Sequence, residues 1–142
     1  MPDIRHSISI GAPIETIRAL VNGPSGLQQW WTEDVTRESD GVLSLGFFRR
    51  ATIYRLRLIQ NEPTSVVWKC ETGDEWRETS LAFALTPARS GVGLEFTHAG
   101  WREATPYFIS CNTTWGGLMV RLRAAAEGKR PAPLFLMDAL AY

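Results

Sequence analysis

Two histidines, His6 and His98, are the side chains of this sequence best suited to exchanging a proton near neutral pH. Each falls on the apolar face of an alternating segment. His6 shares a face with Ile4, Ile8 and Ile10, opposite Arg5, Ser7 and Ser9, and His98 shares one with Val92, Leu94 and Phe96. An inward histidine with a partner carboxylate can serve as a general acid or base, and two histidines with a carboxylate can hold a metal. No such carboxylate stands beside either: Asp3 at the N-terminus and Asp74 and Glu75 in a turn are expected to be solvated. Neither a metal nor a cofactor is therefore expected, and the sequence has no glycine-rich phosphate loop, nucleophile elbow or histidine–carboxylate metal motif. Cys70 and Cys111 lack metal or disulfide spacing and read as buried thiols of a reducing cytosol.

The second chemical resource is aromatic. Six tryptophans in 142 residues is an unusual number, and rings that large either fill a wide core or line a ligand pocket. Strand alternation points Tyr54, Trp68, Phe83 and Phe96 inward, and helical spacing does the same for Trp115 and Cys111. Asn112, beside that helical stripe, could offer a hydrogen bond. Small-molecule sites combine apolar walls with a few polar groups, which suits this set. The same rings could equally fill a solid core, and alternation does not separate the two. Trp30 and Trp31 are adjacent on a short helix, where side chains diverge by about 100°. One is expected to anchor the helix and the other to stand at a cavity mouth.

Positioning these groups requires a definite set of elements. A first strand over 4–10 ends at Gly11, and Pro13 starts a helix that runs towards Asn22 and Gly23. Pro24 and Ser25 open a second short helix carrying Leu27, Trp30 and Trp31. Strands follow near 34–37, 42–48, 53–60, 65–72, 77–86 and 92–99, joined by short turns that favour antiparallel neighbours. From Thr105 to Glu127 the period becomes helical, with Phe108, Cys111, Trp115, Leu118, Leu122 and Ala125 in one apolar stripe. Gly116 and Gly117 interrupt that helix, as if something approaches its backbone there. Beyond Gly128 and Pro131 comes an apolar tail, Leu134 to Met137, which either folds back or forms a homodimer contact. The expected fold class is α+β: a curved antiparallel sheet of about seven strands around a long C-terminal helix, in one domain over 1–142 with 129–142 as its tail.

Lysine plus arginine equals aspartate plus glutamate at 15 each, so the basic excess of a nucleic-acid binder is absent. With no apolar run long enough to span a membrane and no signal-peptide pattern, membrane partners are not expected and the cytoplasm is the expected location.

The segments Ala12 to Ile17 after the first strand, Trp30-Trp31-Thr32 after two helices, and His98-Ala99-Gly100-Trp101 before a long helix together resemble the helix-grip superfamily. That group includes START lipid-transfer domains, the birch pollen allergen, polyketide cyclases and proteins similar to the activator of chaperone ATPase. The order of features is most similar to the activator-like branch. Val42 to Gly46 departs from it, because many relatives carry a glycine pair there. The resemblance implies a cavity between sheet and last helix, and it makes the first and last strands neighbours, which would bring His6 and His98 together at one end. Three functions follow as expectations: binding of a small hydrophobic or aromatic molecule; a cyclase- or hydratase-like enzyme using His98; or a chaperone ATPase-activator-like interaction protein. Whether the chain is an enzyme stays open at this stage.

Overall fold

A computed structural model of the chain describes residues 1–137, 139 and 140. The elements run β1 (Ile4–Ile10), α1 (Ile14–Val21), α2 (Pro24–Leu27), β2 (Val35–Ser39), β3 (Val42–Phe47), β4 (Thr52–Glu62), β5 (Ser65–Cys70), β6 (Ser80–Ala88), β7 (Gly91–Ala99) and α3 (Pro106–Ala126). The strands form one curved sheet in the order β1-β7-β6-β5-β4-β3-β2, antiparallel throughout. Apart from the β1–β7 pair, every neighbour is also a neighbour in sequence. Irregularities between Arg37 and Ser39 and between Leu58 and Gln60 supply local bends of the kind that curve a sheet.

Alternation sorts the faces as expected. Tyr54 and Leu56 of β4 are buried, while Arg55 and Arg57 point out and pair with Glu71. Those arginines hold the Glu71 carboxyl below its usual range, Arg57 contributing most. Helix α3 covers the inner face with Cys111, Trp115, Leu118, Met119, Leu122 and Ala126 buried. Its start is capped by Thr105, whose hydroxyl accepts from the Phe108 amide. At 21 residues it extends about 31 Å, enough to cross the sheet.

Two boundaries differ from expectation. Helix α2 ends at Leu27, so Trp30 and Trp31 lie in the turn beyond it. Their rings are stacked, 5.8 Å apart and 21° from parallel, because no helical twist separates them. Strand β6 starts at Ser80 rather than Arg77, which leaves 71–79 as a tight loop. Helix α2 also sits so close to α1 that Gly26 has no room for a side chain. A β-carbon there would lie 2.1 Å from the Ala19 carbonyl oxygen.

The apolar tail folds back on its own chain. Arg121 Nη1 donates to the carbonyls of Pro131 and Ala132, at 2.9 and 2.6 Å. The Leu134 and Phe135 amides donate to the carbonyls of Trp30 and Trp31, and the Glu33 amide donates to the Phe135 carbonyl. Leu134 is buried by this strap. Asp138, Ala141 and Tyr142, which belong to the tail expected over 129–142, lie outside the described residues. Among the described residues no helix is long and apolar enough to cross a membrane.

Candidate functional site

The interior between sheet and α3 is filled along most of its length. Trp30, Trp68, Phe83, Phe96 and His98 are each at most 2% exposed. Trp30 Nε1 donates to the Leu20 carbonyl and Trp68 Nε1 to the Val21 carbonyl, so both tie α1 to the core. The space that remains lies towards the N-terminal half of α3, as a recess of about 180 Å³. Phe47 and Tyr54 come to it from β3 and β4, Trp31 from the turn after α2, Trp76 from the 71–79 loop, Tyr107, Cys111 and Trp115 from α3, and Phe135 from the tail.

Each ring is held by another. Trp76 stacks on Tyr54 at 4.0 Å and 3°, Trp115 lies 5.0 Å from Trp31, and Phe135 meets Phe47 edge-on at 4.9 Å. The Trp76–Tyr54 stack depends on Gly73. This residue has φ +101, and a β-carbon there would come within 2.5 Å of the Tyr54 ring. The polar groups of the wall are hydroxyls, one thiol and indole N–H groups, that of Trp76 buried without a hydrogen-bond partner among the described residues. The Tyr54 and Tyr107 hydroxyls are 2.5 Å apart, and Thr52, Ser110 and Thr114 line the recess beside them. Burial pushes Tyr54 up to about 12 and raises Tyr107 and the Cys111 thiol as well. All three are therefore neutral at pH 7, and the described lining carries no formal charge.

His98 lies behind this wall rather than in it. Its ring is packed by Trp76 and Trp101, each 4.7 Å away. Trp115 Nε1 can only donate, so His98 Nδ1 accepts from it, at 3.2 Å. Nε2 must then carry the proton of the neutral ring and donate to Thr79 Oγ1 at 2.8 Å, while the Thr79 hydroxyl donates to the Trp76 carbonyl. Desolvation pushes the imidazole down to about 3. A neutral histidine with both nitrogens engaged and no place in the recess is a structural fastener between β7, α3 and the 71–79 loop. It is not placed to act as an acid or base on a molecule in the recess.

His6 is on the same face. In the β1–β7 register His98 opposes Ile4 and His6 opposes Phe96, which makes the two histidines diagonal neighbours. The His6 ring lies over Gly116, where an added β-carbon would sit 3.5 Å from it. This is the group that approaches the helix at its glycines.

No family model matches the chain, and no curated protein matches it either. Solved structures do. The Aha1 dimer from Colwellia psychrerythraea superposes with a TM-score of 0.81 at 26% identity, over 92% of this chain and 99% of that one. A protein from Bacillus halodurans gives 0.71 at 20% identity, over 89% and 97%. A START superfamily protein from Mycobacterium smegmatis gives 0.66 at 15% identity, over 88% and 97%. The chain carries the helix-grip fold and is similar to the Aha1-like branch of it.

In this helix-grip chain the residues singled out from sequence separate into two groups. Trp31, Tyr54, Cys111 and Trp115 meet at the recess. Trp30, Trp68, Phe83, Phe96, His98 and His6 are packing residues away from it, because strand parity tells which face a side chain is on but not where along that face space remains. Asn112 is exposed, one position off the buried stripe. Glu75 is not simply solvated: it is half-buried and accepts a hydrogen bond from the Thr105 hydroxyl. Sequence reasoning missed Trp76, Phe47, Tyr107 and Phe135 as wall residues. Six tryptophans were visible, but a loop position such as Trp76 has no period from which to read its direction. Among the described residues no three His, Cys, Asp or Glu side chains gather as a metal-binding group.

Proposed function

We propose that this chain, read as one domain over 1–142, binds a small apolar or aromatic molecule in the ring-lined recess. One observation carries this reading: rings from six separate parts of the chain converge on about 180 Å³ of unfilled space, with hydroxyls as the main polar groups. An apolar cavity of about 150 Å³ is enough to take benzene, so a one-ring compound fits the size. A ligand of that kind burying about 250 Å² gains roughly 6 kcal/mol gross at about 25 cal/mol per Å², before the costs of association. Binding at high micromolar to millimolar concentration follows. The buried, unpaired thiols Cys70 and Cys111 suit a reducing compartment such as the cytoplasm.

The test is a titration of intrinsic tryptophan fluorescence, because Trp31, Trp76 and Trp115 all face the recess. Toluene and benzyl alcohol are expected to give a saturable change. A response that stays linear up to the solubility limit of both compounds contradicts the proposal.

The likeness to a dimeric Aha1 favours a second reading, contact with another protein, in the first instance a second copy of this chain. Beside the strap, Phe48, Met137 and Leu140 are all more than a third exposed, and they form the apolar surface such a copy would cover. Elution as a monomer at every concentration, or an unchanged dimer after truncation at Arg130, would remove the tail from that role.

A further inference from the structure

The described lining of the recess contains aromatic rings, hydroxyls, a thiol and the indole N–H groups of its tryptophans, and no lysine, arginine or histidine. Ring faces carry negative potential and attract cations. A charge of the same sign stands on one side, and Arg49, exposed to water, lies on the other beside Phe48 and Phe135. Glu75 precedes Trp76 in the chain and accepts a hydrogen bond from Thr105 Oγ1 at the cap of α3. That bond ties its carboxylate to the start of α3, two residues before Tyr107, in the depression next to the recess. Glu75 contributes, as the smallest cause after burial, to the upward shifts of both Tyr54 and Cys111. Arg102 shares a neighbouring surface depression with Glu75, but it is exposed and therefore screened by water.

A field that opposes a phenolate at Tyr54 and a thiolate at Cys111 opposes any anion placed between them, and it favours a positive charge. The Tyr54–Tyr107 hydroxyl pair, with Thr52, Ser110 and Thr114, supplies oxygen acceptors for N–H donors. From this geometry we infer that the recess prefers a small organic cation, an aromatic or alkyl ammonium, over neutral or anionic compounds of similar shape, and that Glu75 sets the preference. The inference rests on the recess being a ligand site and adds the sign of the ligand's charge.

Three compounds of one shape test it at pH 7: benzylammonium, benzyl alcohol and benzoate, each titrated against the native chain and against Glu75→Gln. The native chain is expected to bind benzylammonium tightest and benzoate without saturation. Glu75→Gln is expected to weaken benzylammonium about fivefold, as loss of one nearby partly screened charge implies, while benzyl alcohol changes less than twofold. Benzyl alcohol binding as tightly as benzylammonium, or benzylammonium indifferent to Glu75→Gln, overturns the charge preference and leaves the ligand site standing. Should none of the three compounds saturate, the site itself fails and the inference with it. If Glu75→Gln also loses benzyl alcohol, the variant has damaged the recess, and the ranking on the native chain decides alone.

Discussion

His98→Gln is expected to flatten a fall in stability that the native chain shows on acidification. The folded imidazole is held down to about 3 by burial, whereas in the unfolded chain it titrates near 6.5. Between those values the unfolded state binds a proton that the folded state refuses, so stability decreases as pH falls from about 6.5 and the loss is complete near 3. The full interval corresponds to at most about 5 kcal/mol, with a slope approaching 1.4 kcal/mol per pH unit. The groups packed against the ring, Trp76, Trp101, Trp115 and Thr79, do not titrate in that range. Glutamine keeps an acceptor and a donor but cannot take up the proton. Urea unfolding at intervals from pH 7 to 4.5 is expected to give a variant that is less stable at neutral pH and less dependent on acid. Equal slopes for the two proteins would show that His98 is not the buried neutral group described.

Trp115→Ala is expected to be among the most destabilising single changes in α3. The indole is 1% exposed, lies 4.2 Å from Phe96 and 5.0 Å from Trp31, and fills the point where the core meets the recess. Truncating a buried tryptophan costs about 3–5 kcal/mol. Here it also leaves the His98 Nδ1 acceptor without its donor in a site closed to water, which adds about 1–3 kcal/mol. Trp115→Phe retains one ring but loses the N–H and part of the indole's volume, so it is expected to fall between the native chain and the alanine variant. Unfolding midpoints that leave phenylalanine and alanine indistinguishable would mean that ring packing contributes little there.

How far the sequence disclosed this arrangement depends on periodicity. Strand alternation assigned Tyr54, Trp68, Phe83, Phe96 and His98 to the inner face, and the β1–β7 pairing followed from the resemblance. The long helix was legible because six apolar residues repeat at spacings of three and four. Depth along the face was not legible. His98 and Tyr54 have the same kind of pattern, yet one is sealed behind Trp76 and Trp115 while the other lines open space. Loop and tail positions carried no direction at all, which is why Trp76 and Phe135 went unrecognised. The helix assumed to continue through Trp30 and Trp31 stops at Leu27, so their rings stack instead of diverging. The outcome is a recess at one end of a largely solid interior, where a cavity between sheet and helix was expected.

Occupancy of that recess is most directly measured by a crystal structure of the chain soaked with benzyl alcohol at saturating concentration. The expected result is density for one ring bounded by Trp31, Trp76, Trp115 and Phe135, with its hydroxyl near the Tyr54–Tyr107 pair. Density showing those four side chains closed against one another, with the compound absent, would contradict it.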